Sequence, residues 1–196
     1  PGSRPAHVEY MAPFFLRVAQ LLVRGGGDFI PALSLSPFIS EKGLASALKG
    51  ETARRLGVTA AYAPGVLLDD GKTDWERPGL IDAGEGLLIP VFRDRQYDLM
   101  AAADLALTVP GTNTVELASL SVPMVVALPL DHPEIIPLEG LAGLVGGIPF
   151  LGRALKRRLL TKISAKFPFA AWPNRLAGRA VVPEVKGKIA PEDVAA

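Results

Sequence analysis

The stretch Asp104–Pro129, DLALTVPGTNTVELASLSVPMVVALP, decides the fold class of this chain. An apolar run stops at Pro110-Gly111, a threonine-rich turn and a helix-forming run follow, and Pro123 opens a second apolar run. This order predicts strand, tight turn, helix and strand, the unit that directs backbone amides at a phosphate. A crossover without any ligand would show the same pattern, so both interpretations stay open at this point.

The residues of the turn suit a diphosphate. Gly111 has no Cβ to block a close approach, and Thr112 or Thr114 can cap the helix. Asn113 lies between the two threonines, and Glu116 follows one turn into the helix. We therefore expect a carboxylate that reaches ribose hydroxyls beside amides that hold phosphates.

Composition limits the classes of function. The chain has 196 residues, 49% of them hydrophobic, which allows a substantial core in one large domain or two small ones. Its 21 basic and 20 acidic side chains argue against a general nucleic-acid binder. There is no cysteine, and His7 and His132 are far apart, so no thiolate or histidine-rich metal site is predicted. No apolar run approaches the roughly 20 residues that span a bilayer.

Strands alternate with helices through the first 130 residues. This alternation predicts an α/β fold with a Rossmann-like, doubly wound parallel sheet and helices on both faces. The chain ends in what looks like the first turn of a helix, so we expect a portion of a longer protein. The predicted helices are Val8–Val23 (with a kink or late start at Pro13), Ser40–Arg55 and Asp94–Ala103; the strands are Phe29–Leu35, Thr59–Leu68, Gly86–Phe92 and Phe169–Trp172; Asp69–Gly79 is a polar loop or hairpin tip.

The segment Leu138–Phe167 departs from this alternation. Its first half is apolar and contains glycines, and its second half is basic without an acidic residue. Charged and apolar side chains separate onto different helical faces, which is typical of a helix lying on an anionic membrane surface. A solvated basic face on a helix packed against the sheet is the alternative. The basic residues are Arg153, Lys156, Arg157, Arg158, Lys162 and Lys166.

Three further segments occur in the order and approximate spacing of one known family. The opening Pro1–Arg4 is similar to an LPGSR turn, and Tyr97–Val126 is similar to an AAADAAL–SGTATLEAALLGTPMVV region. Trp172–Glu184, WPNRLAGRAVVPE, is similar to LPNLIAGREVVPE. Together these segments resemble the C-terminal half of lipid-A-disaccharide synthase, a glycosyltransferase of the two-domain GT-B fold.

The resemblance implies that residues 1–196 form one nucleotide-sugar-binding domain of a longer, inverting enzyme. The implied donor is a UDP-linked acylated glucosamine, and the implied acceptor is a lipid-linked sugar that becomes a β-1,6 disaccharide in lipid A biosynthesis. The resemblance places such an enzyme in the cytoplasm, peripheral on the inner face of the membrane. No cofactor or metal is expected, because amides and an arginine can stabilise the leaving diphosphate.

The resemblance also assigns the donor site residue by residue. Arg4 would approach the phosphates, Gly111–Thr114 would donate backbone and hydroxyl hydrogen bonds, and Glu116 would hold the ribose. Asn174 and Arg179 would complete the pocket, although an Asx-turn and a surface cation are their ordinary alternatives. The catalytic base is expected in an upstream domain, so no catalytic residue is assigned.

Departures from the family pattern, which include the apolar glycine-containing stretch before Arg153, keep other functions open. The family's SGTATLE reads PGTNTVE here, and its Tyr-Arg pair after the MVV strand is replaced by Leu128–Pro133, LPLDHP. The alternatives are another GT-B enzyme that uses a UDP-sugar, and a divergent or non-catalytic nucleotide-sugar-binding module. We interpret His7 as a surface histidine, and Asp94 and Asp98 as helix-capping and solvent-facing carboxylates.

Overall fold

A computed structural model describes residues 1–132 and 168–196, so the predicted membrane-facing segment, with Arg153, Lys156, Arg157, Arg158 and Lys162, lies outside the described residues. Helices and strands alternate along the described chain, which confirms the α/β class. In chain order the elements are α1 Pro5–Arg24, β1 Leu33–Leu35, α2 Glu41–Lys49, α3 Glu51–Arg55, β2 Ala61–Ala63, β3 Gly79–Asp82, β4 Leu88–Arg93, α4 Gln96–Ala101, β5 Ala106–Thr108, α5 Asn113–Ser119, β6 Met124–Pro129, α6 Trp172–Ala177, β7 Glu184–Gly187 and α7 Pro191–Ala195.

The strands form two sheets. β5 pairs with β6 in parallel, as the stretch Asp104–Pro129 predicts, and β7, which sequence analysis did not identify as a strand, pairs in parallel with β6. The other sheet has the order β1-β4-β3-β2, with β1 parallel to β4 and the remaining pairs antiparallel. Sequence analysis missed β3, because its four residues are too few to show a pattern between two turns. Parallel pairs of the Rossmann-like kind thus occur in both sheets, and β3 and β2 add an antiparallel extension to the four-stranded one.

Helix α1 packs against both sheets. One of its faces lies in the core of the four-stranded sheet, and the other packs on Ala127 of β6 and on α7. The helix is unbroken through Pro13 and begins at Pro5, so the predicted late start is wrong. Proline is well tolerated in the first turn, where its missing N–H has no partner to lose. The fully buried α1 side chains include Val8, Met11, Ala12, Phe14, Leu16 and Val18.

Local signals explain how the second helical region folds. Ser40 Oγ accepts the Gly43 amide at 3.0 Å, which confirms the predicted N-cap. The single helix predicted over Ser40–Arg55 is two helices, because Gly50 adopts an extended backbone between α2 and α3. Glycine has little preference for a helix interior, so a break at this residue costs the chain little.

The polar loop Asp69–Gly79 is a hairpin tip, as predicted. Leu67 and Thr73 form an isolated antiparallel bridge across it. Asp70 accepts the amide of Lys72 and Asp74 accepts the amide of Glu76, each at 3.0 Å, and these bonds lower the pKa of both carboxyls. Such side-chain-to-backbone bonds are what aspartate contributes to turns.

Two strand predictions need correction. Phe169–Trp172 is not a strand: α6 begins at Trp172, with Pro173 in its first turn. Phe29–Leu35 is reduced to the three residues of β1, and Ile30 is 92% exposed because no neighbouring strand covers it. Among the described residues, no helix is long and apolar enough to cross a bilayer.

The position of α1 predicts where mutations are costly. Phe14 is 0% exposed whereas Phe38 is 82% exposed. We expect Phe14→Ala to lower the free energy of unfolding by about 3–5 kcal/mol, because it leaves a cavity between the sheets. Phe38→Ala, the matched control, should change it by less than about 0.5 kcal/mol. Urea denaturation followed by circular dichroism measures both, and equal losses would contradict the described core.

Candidate functional site

The parallel sheet brings three loops to one edge. Because β5, β6 and β7 are parallel, their carboxyl ends lie at the same side of the sheet. The turn at Pro110-Gly111 follows β5, residues 130–132 follow β6, and residues 188–190 follow β7. Open α/β sheets bind ligands outside this edge. The fold therefore places the threonine-rich turn where a ligand site is expected.

The opening turn of the chain reaches the same edge. His7 is only 8% exposed, so its interpretation as a surface histidine is wrong. It lines a small crevice with Pro110 and with Pro129 of β6. Gly2 folds over this histidine with φ +100°, and a Cβ on Gly2 would stand 2.8 Å from His7 Nδ1. Arg4, between the two in sequence, is the N-cap residue of α1, and its contact with a donor phosphate stays a prediction.

Two backbone amides of the turn have no acceptor within the part of the chain that the structure describes. α5 begins at Asn113, and Thr112 precedes it with helical φ and ψ, so its exposed hydroxyl does not cap the helix. The N-cap bond predicted for Thr112 or Thr114 is therefore absent: Thr114 Oγ1 instead donates to the Gly111 carbonyl at 2.7 Å. Within residues 1–132 and 168–196, the amides of Thr112 and Asn113 donate to no described acceptor.

The space above Gly111 is occupied by a neighbouring side chain. A Cβ on Gly111 would stand 2.7 Å from Asn113 Oδ1, so glycine is needed here for an approach within the turn itself. The side-chain Nδ2 of Asn113 donates a hydrogen bond to Thr108 Oγ1 at the end of β5. The Asn113 side chain thus braces the turn from inside.

Glu116 lies partly exposed in the first turn of α5, where sequence analysis expects it. Its Oε1 accepts a hydrogen bond of 3.3 Å from the hydroxyl of Tyr97 on α4. Sequence analysis did not single out Tyr97, although it opens the segment similar to the known family. Among the described residues, no donor bonds the other oxygen of this carboxylate.

Asn174 is directed inward. It lies within α6, is 1% exposed, and uses both ends of its amide inside the chain. Oδ1 accepts the amides of Val181 and Val182 at 2.7 and 2.8 Å. Nδ2 donates to the Val182 carbonyl at 2.9 Å and to Glu184 Oε1 at 2.7 Å. Arg179, its predicted companion, is exposed after the end of α6.

Glu184 is a polar anchor that sequence analysis missed. Its carboxylate accepts the amides of Ala170 and Ala171 at 2.8 and 3.0 Å, in addition to Asn174. The next amide, of Trp172, donates to Thr114 Oγ1 at 3.3 Å. The only sequence signal was the position of this glutamate at the end of the third family-like segment.

A second cleft lies further along the same edge. It measures about 260 Å³ and is lined by Tyr10, Arg55, Asp131, His132 and Lys188, among others. The His132 ring lies over Tyr10 with centroids 3.9 Å apart, and Arg55 Nη2 is 3.4 Å from His132 Nε2. The stretch that departs from the family pattern therefore contributes two side chains to this cleft.

The buried amide of Asn174 predicts a sensitive substitution. Asn174→Asp keeps the shape of the side chain but replaces the Nδ2 donor to Glu184 with an oxygen, so two carboxylates face each other. We expect the free energy of unfolding to fall by about 3–5 kcal/mol near neutral pH. The neighbouring charge and burial raise the folded-state pKa of the introduced carboxyl. The penalty is therefore full above that pKa and fades as the pH falls through it.

The matched control is Asn113→Asp, which changes a partly exposed asparagine in the first turn of α5. An acidic group is favourable at that position, so the change should be about 1 kcal/mol or less. Denaturation curves at several pH values give the comparison. A pH-independent loss at Asn174 would contradict the described hydrogen bonds.

Comparison with known proteins gives one consistent answer. A lipid-A-disaccharide synthase of Syntrophus aciditrophicus is 28% identical over 197 aligned residues, covering 100% of this chain and 37% of the relative. That of Neisseria meningitidis serogroup B is 27% identical over 197 residues with the same coverage. That of Solibacter usitatus is 35% identical over 97 residues, 50% of this chain and 19% of the relative.

No family model and no solved structure matches the chain. The relatives that align with the whole of this chain are much longer than it. The chain spans little more than a third of their length, 37% in the case of the Syntrophus protein. The chain is thus similar over its whole length to lipid-A-disaccharide synthases, and this similarity confirms the resemblance found in its sequence.

Proposed function

We propose that the chain is the donor-binding half of a glycosyltransferase of lipid A biosynthesis, with a UDP-linked acylated glucosamine as donor. One observation carries the proposal: a turn whose Thr112 and Asn113 amides have no acceptor among the described residues lies at the carboxyl edge of a parallel sheet, and Glu116 follows it in α5. The similarity to lipid-A-disaccharide synthases over the whole chain supports the same assignment.

The turn would hold the diphosphate of the donor. The amides of Thr112 and Asn113 and the Thr112 hydroxyl are donors of the kind that bind phosphate oxygens. As the bond between sugar and UDP breaks, negative charge grows on the diphosphate, and preorganised donors stabilise that charge. Arg4 and the exposed Arg179 would add positive charge.

Glu116 would hold the ribose. Its partly exposed carboxylate can accept hydrogen bonds from the two adjacent ribose hydroxyls, and the Tyr97 hydroxyl at 3.3 Å restricts its orientation. The ribose would then lie about one helical turn, ~6 Å along the axis, from the Thr112 amide that would hold the diphosphate.

Other predicted contacts are better explained as supports. The side chains of Asn113, Thr114 and Asn174 hydrogen-bond within the chain, so we propose that they shape the site without touching the donor. The acceptor sugar and the base that deprotonates its hydroxyl would belong to a further part of the enzyme. The reaction would then be a direct, inverting displacement of UDP.

A second candidate is a nucleotide-sugar-binding module without transferase activity. The observation that favours it is the cleft at Asp131 and His132, which replaces the Tyr-Arg pair of the similar family. A module of this kind would bind UDP in the same way. It would differ by failing to transfer sugar when an upstream domain is supplied.

The ribose contact gives the first test. Glu116→Ala should weaken UDP binding about tenfold, the cost of losing a hydrogen bond to a charged group. The unsubstituted chain should bind 2′-deoxy-UDP about tenfold more weakly than UDP. The Glu116→Ala variant should bind the two nucleotides with nearly equal affinity. Isothermal titration calorimetry measures all four affinities.

Glu51→Ala is the matched control, because Glu51 is an exposed acid in the first turn of α3. It should leave UDP binding unchanged. If the unsubstituted chain bound no UDP at millimolar concentration, the proposed donor site would be wrong. If both variants bound UDP equally, Glu116 would have no ribose contact.

The basic second half of the segment Leu138–Phe167 gives a second test, because we propose that this basic segment brings the enzyme to its lipid-linked acceptor. Arg157→Glu combined with Arg158→Glu should weaken binding to vesicles containing anionic lipid by more than about tenfold, since each basic residue near the surface contributes about 1 kcal/mol. Binding should also fall as salt rises. Co-sedimentation with vesicles measures both effects.

Lys42→Glu combined with Lys49→Glu is the control, because both lysines are exposed on α2. This pair changes the net charge by the same amount away from the basic segment. Equal losses from the two pairs would show that total charge alone, and not this segment, attracts the vesicles.

A further inference from the structure

We propose that Glu184 is a positioning residue that fixes the direction of the Thr112 amide through a continuous hydrogen-bonded path. The role rests on the proposed nucleotide site, since that amide is one of its two backbone donors. The path begins at the carboxylate on β7, passes through the start of α6 and Thr114, and ends at the Gly111 carbonyl.

The first step is a carboxylate that is satisfied entirely within the chain. Oε1 of Glu184 accepts the Asn174 side chain at 2.7 Å and the Ala171 amide at 3.0 Å, while Oε2 accepts the Ala170 amide at 2.8 Å. Bonds to an ionised acceptor are about twice as strong as neutral ones. The anion therefore fixes the backbone that leads into α6.

The second step joins α6 to α5. The amide of Trp172, next after the two held by Glu184, donates to Thr114 Oγ1 at 3.3 Å. Thr114 is 0% exposed and passes its own hydroxyl hydrogen to the Gly111 carbonyl at 2.7 Å. A hydroxyl that accepts one bond and donates the other transmits a displacement from one helix to the other.

The third step links the buried hydrogen bonds of the Gly111 carbonyl to the direction of the Thr112 N–H. The Gly111 carbonyl is held twice by Thr114, by its amide at 3.1 Å and by its hydroxyl at 2.7 Å. This carbonyl and the Thr112 N–H belong to one peptide unit, which is planar and trans. Fixing the carbonyl inward therefore directs the Thr112 N–H the opposite way, toward the proposed diphosphate.

Asn174 makes the path rigid at its origin. Its Oδ1 holds the amides of Val181 and Val182, just before β7, so α6 and β7 cannot shift independently. A group that needs no reorganisation during the reaction stabilises developing charge best. Glu184 thus acts on the nucleotide at a distance, through the orientation of one peptide unit.

The test uses the 196-residue chain, labelled with nitrogen-15, in nuclear magnetic resonance and in calorimetry with UDP. Glu184→Gln keeps the side-chain size but leaves one of its three donors without an oxygen. We expect shifted amide resonances at Trp172, Gly111 and Thr112 without ligand, and UDP affinity about tenfold lower. Glu192→Gln, an exposed glutamate on α7, is the control and should change neither.

A second pair of variants keeps the test valid if Glu184→Gln does not fold. Thr114→Val removes the hydroxyl at constant shape and should shift the Thr112 resonance and lower UDP affinity in the same way. Thr114→Ser restores the hydroxyl and should bring both values back to within about twofold of the unsubstituted chain. Rescue by serine would show that the hydroxyl, and not the volume of the side chain, orients the Thr112 amide.

The outcomes separate this inference from the proposed function. Unchanged Gly111 and Thr112 resonances in folded Glu184→Gln, or in Thr114→Val, would overturn the path even if the chain binds UDP. Shifted resonances in a chain that binds no UDP would support the path and reject the nucleotide site.

Discussion

The structure depends on the burial of α1 from two sides. Its side chains are apolar around most of the helix, so neither sheet alone could cover them. Placing the helix between the four-stranded sheet and the parallel sheet removes both faces from water, the dominant favourable term in folding. The same placement brings His7 and the residues before it to the carboxyl edge of the parallel sheet.

At that edge the polar residues divide into two groups with different tasks. Thr112 and Glu116 face outward, where a nucleotide could reach them. Asn113, Thr114, Asn174 and Glu184 face inward, and each finds partners within the chain. Buried polar groups without partners are costly, so an inward group of this size is stable only when every member is satisfied. The hydrogen bonds of the inward group, which do not contact the ligand, can then hold Thr112 and Glu116 in position.

Sequence reasoning succeeded where a signal was local. The proline and glycine before the turn, the Ser40 cap and the alternation of elements all depend on a few adjacent residues, and the structure has them as expected. It failed where distant segments decide the outcome. The inward direction of Asn174 has no local sequence signal, because it depends on residues 181–184 folding back over α6, and its contact with a donor stays a prediction. The apolar run before Pro173 suggested a strand because nothing local reveals that Glu184 holds its amides.

The pairing of β6 with β7 has one more consequence. It joins residues before position 133 to residues after position 167, and α1 with α7 and α5 with α6 join the same two stretches. Parallel strand pairing, an apolar contact and the hydrogen bond from the Trp172 amide to Thr114 all cross between them. If the covalent link between the two stretches were severed, they would still possess a ready-made mutual interface. They would behave as complementing fragments, the shorter one docking back onto the longer one without the connecting peptide.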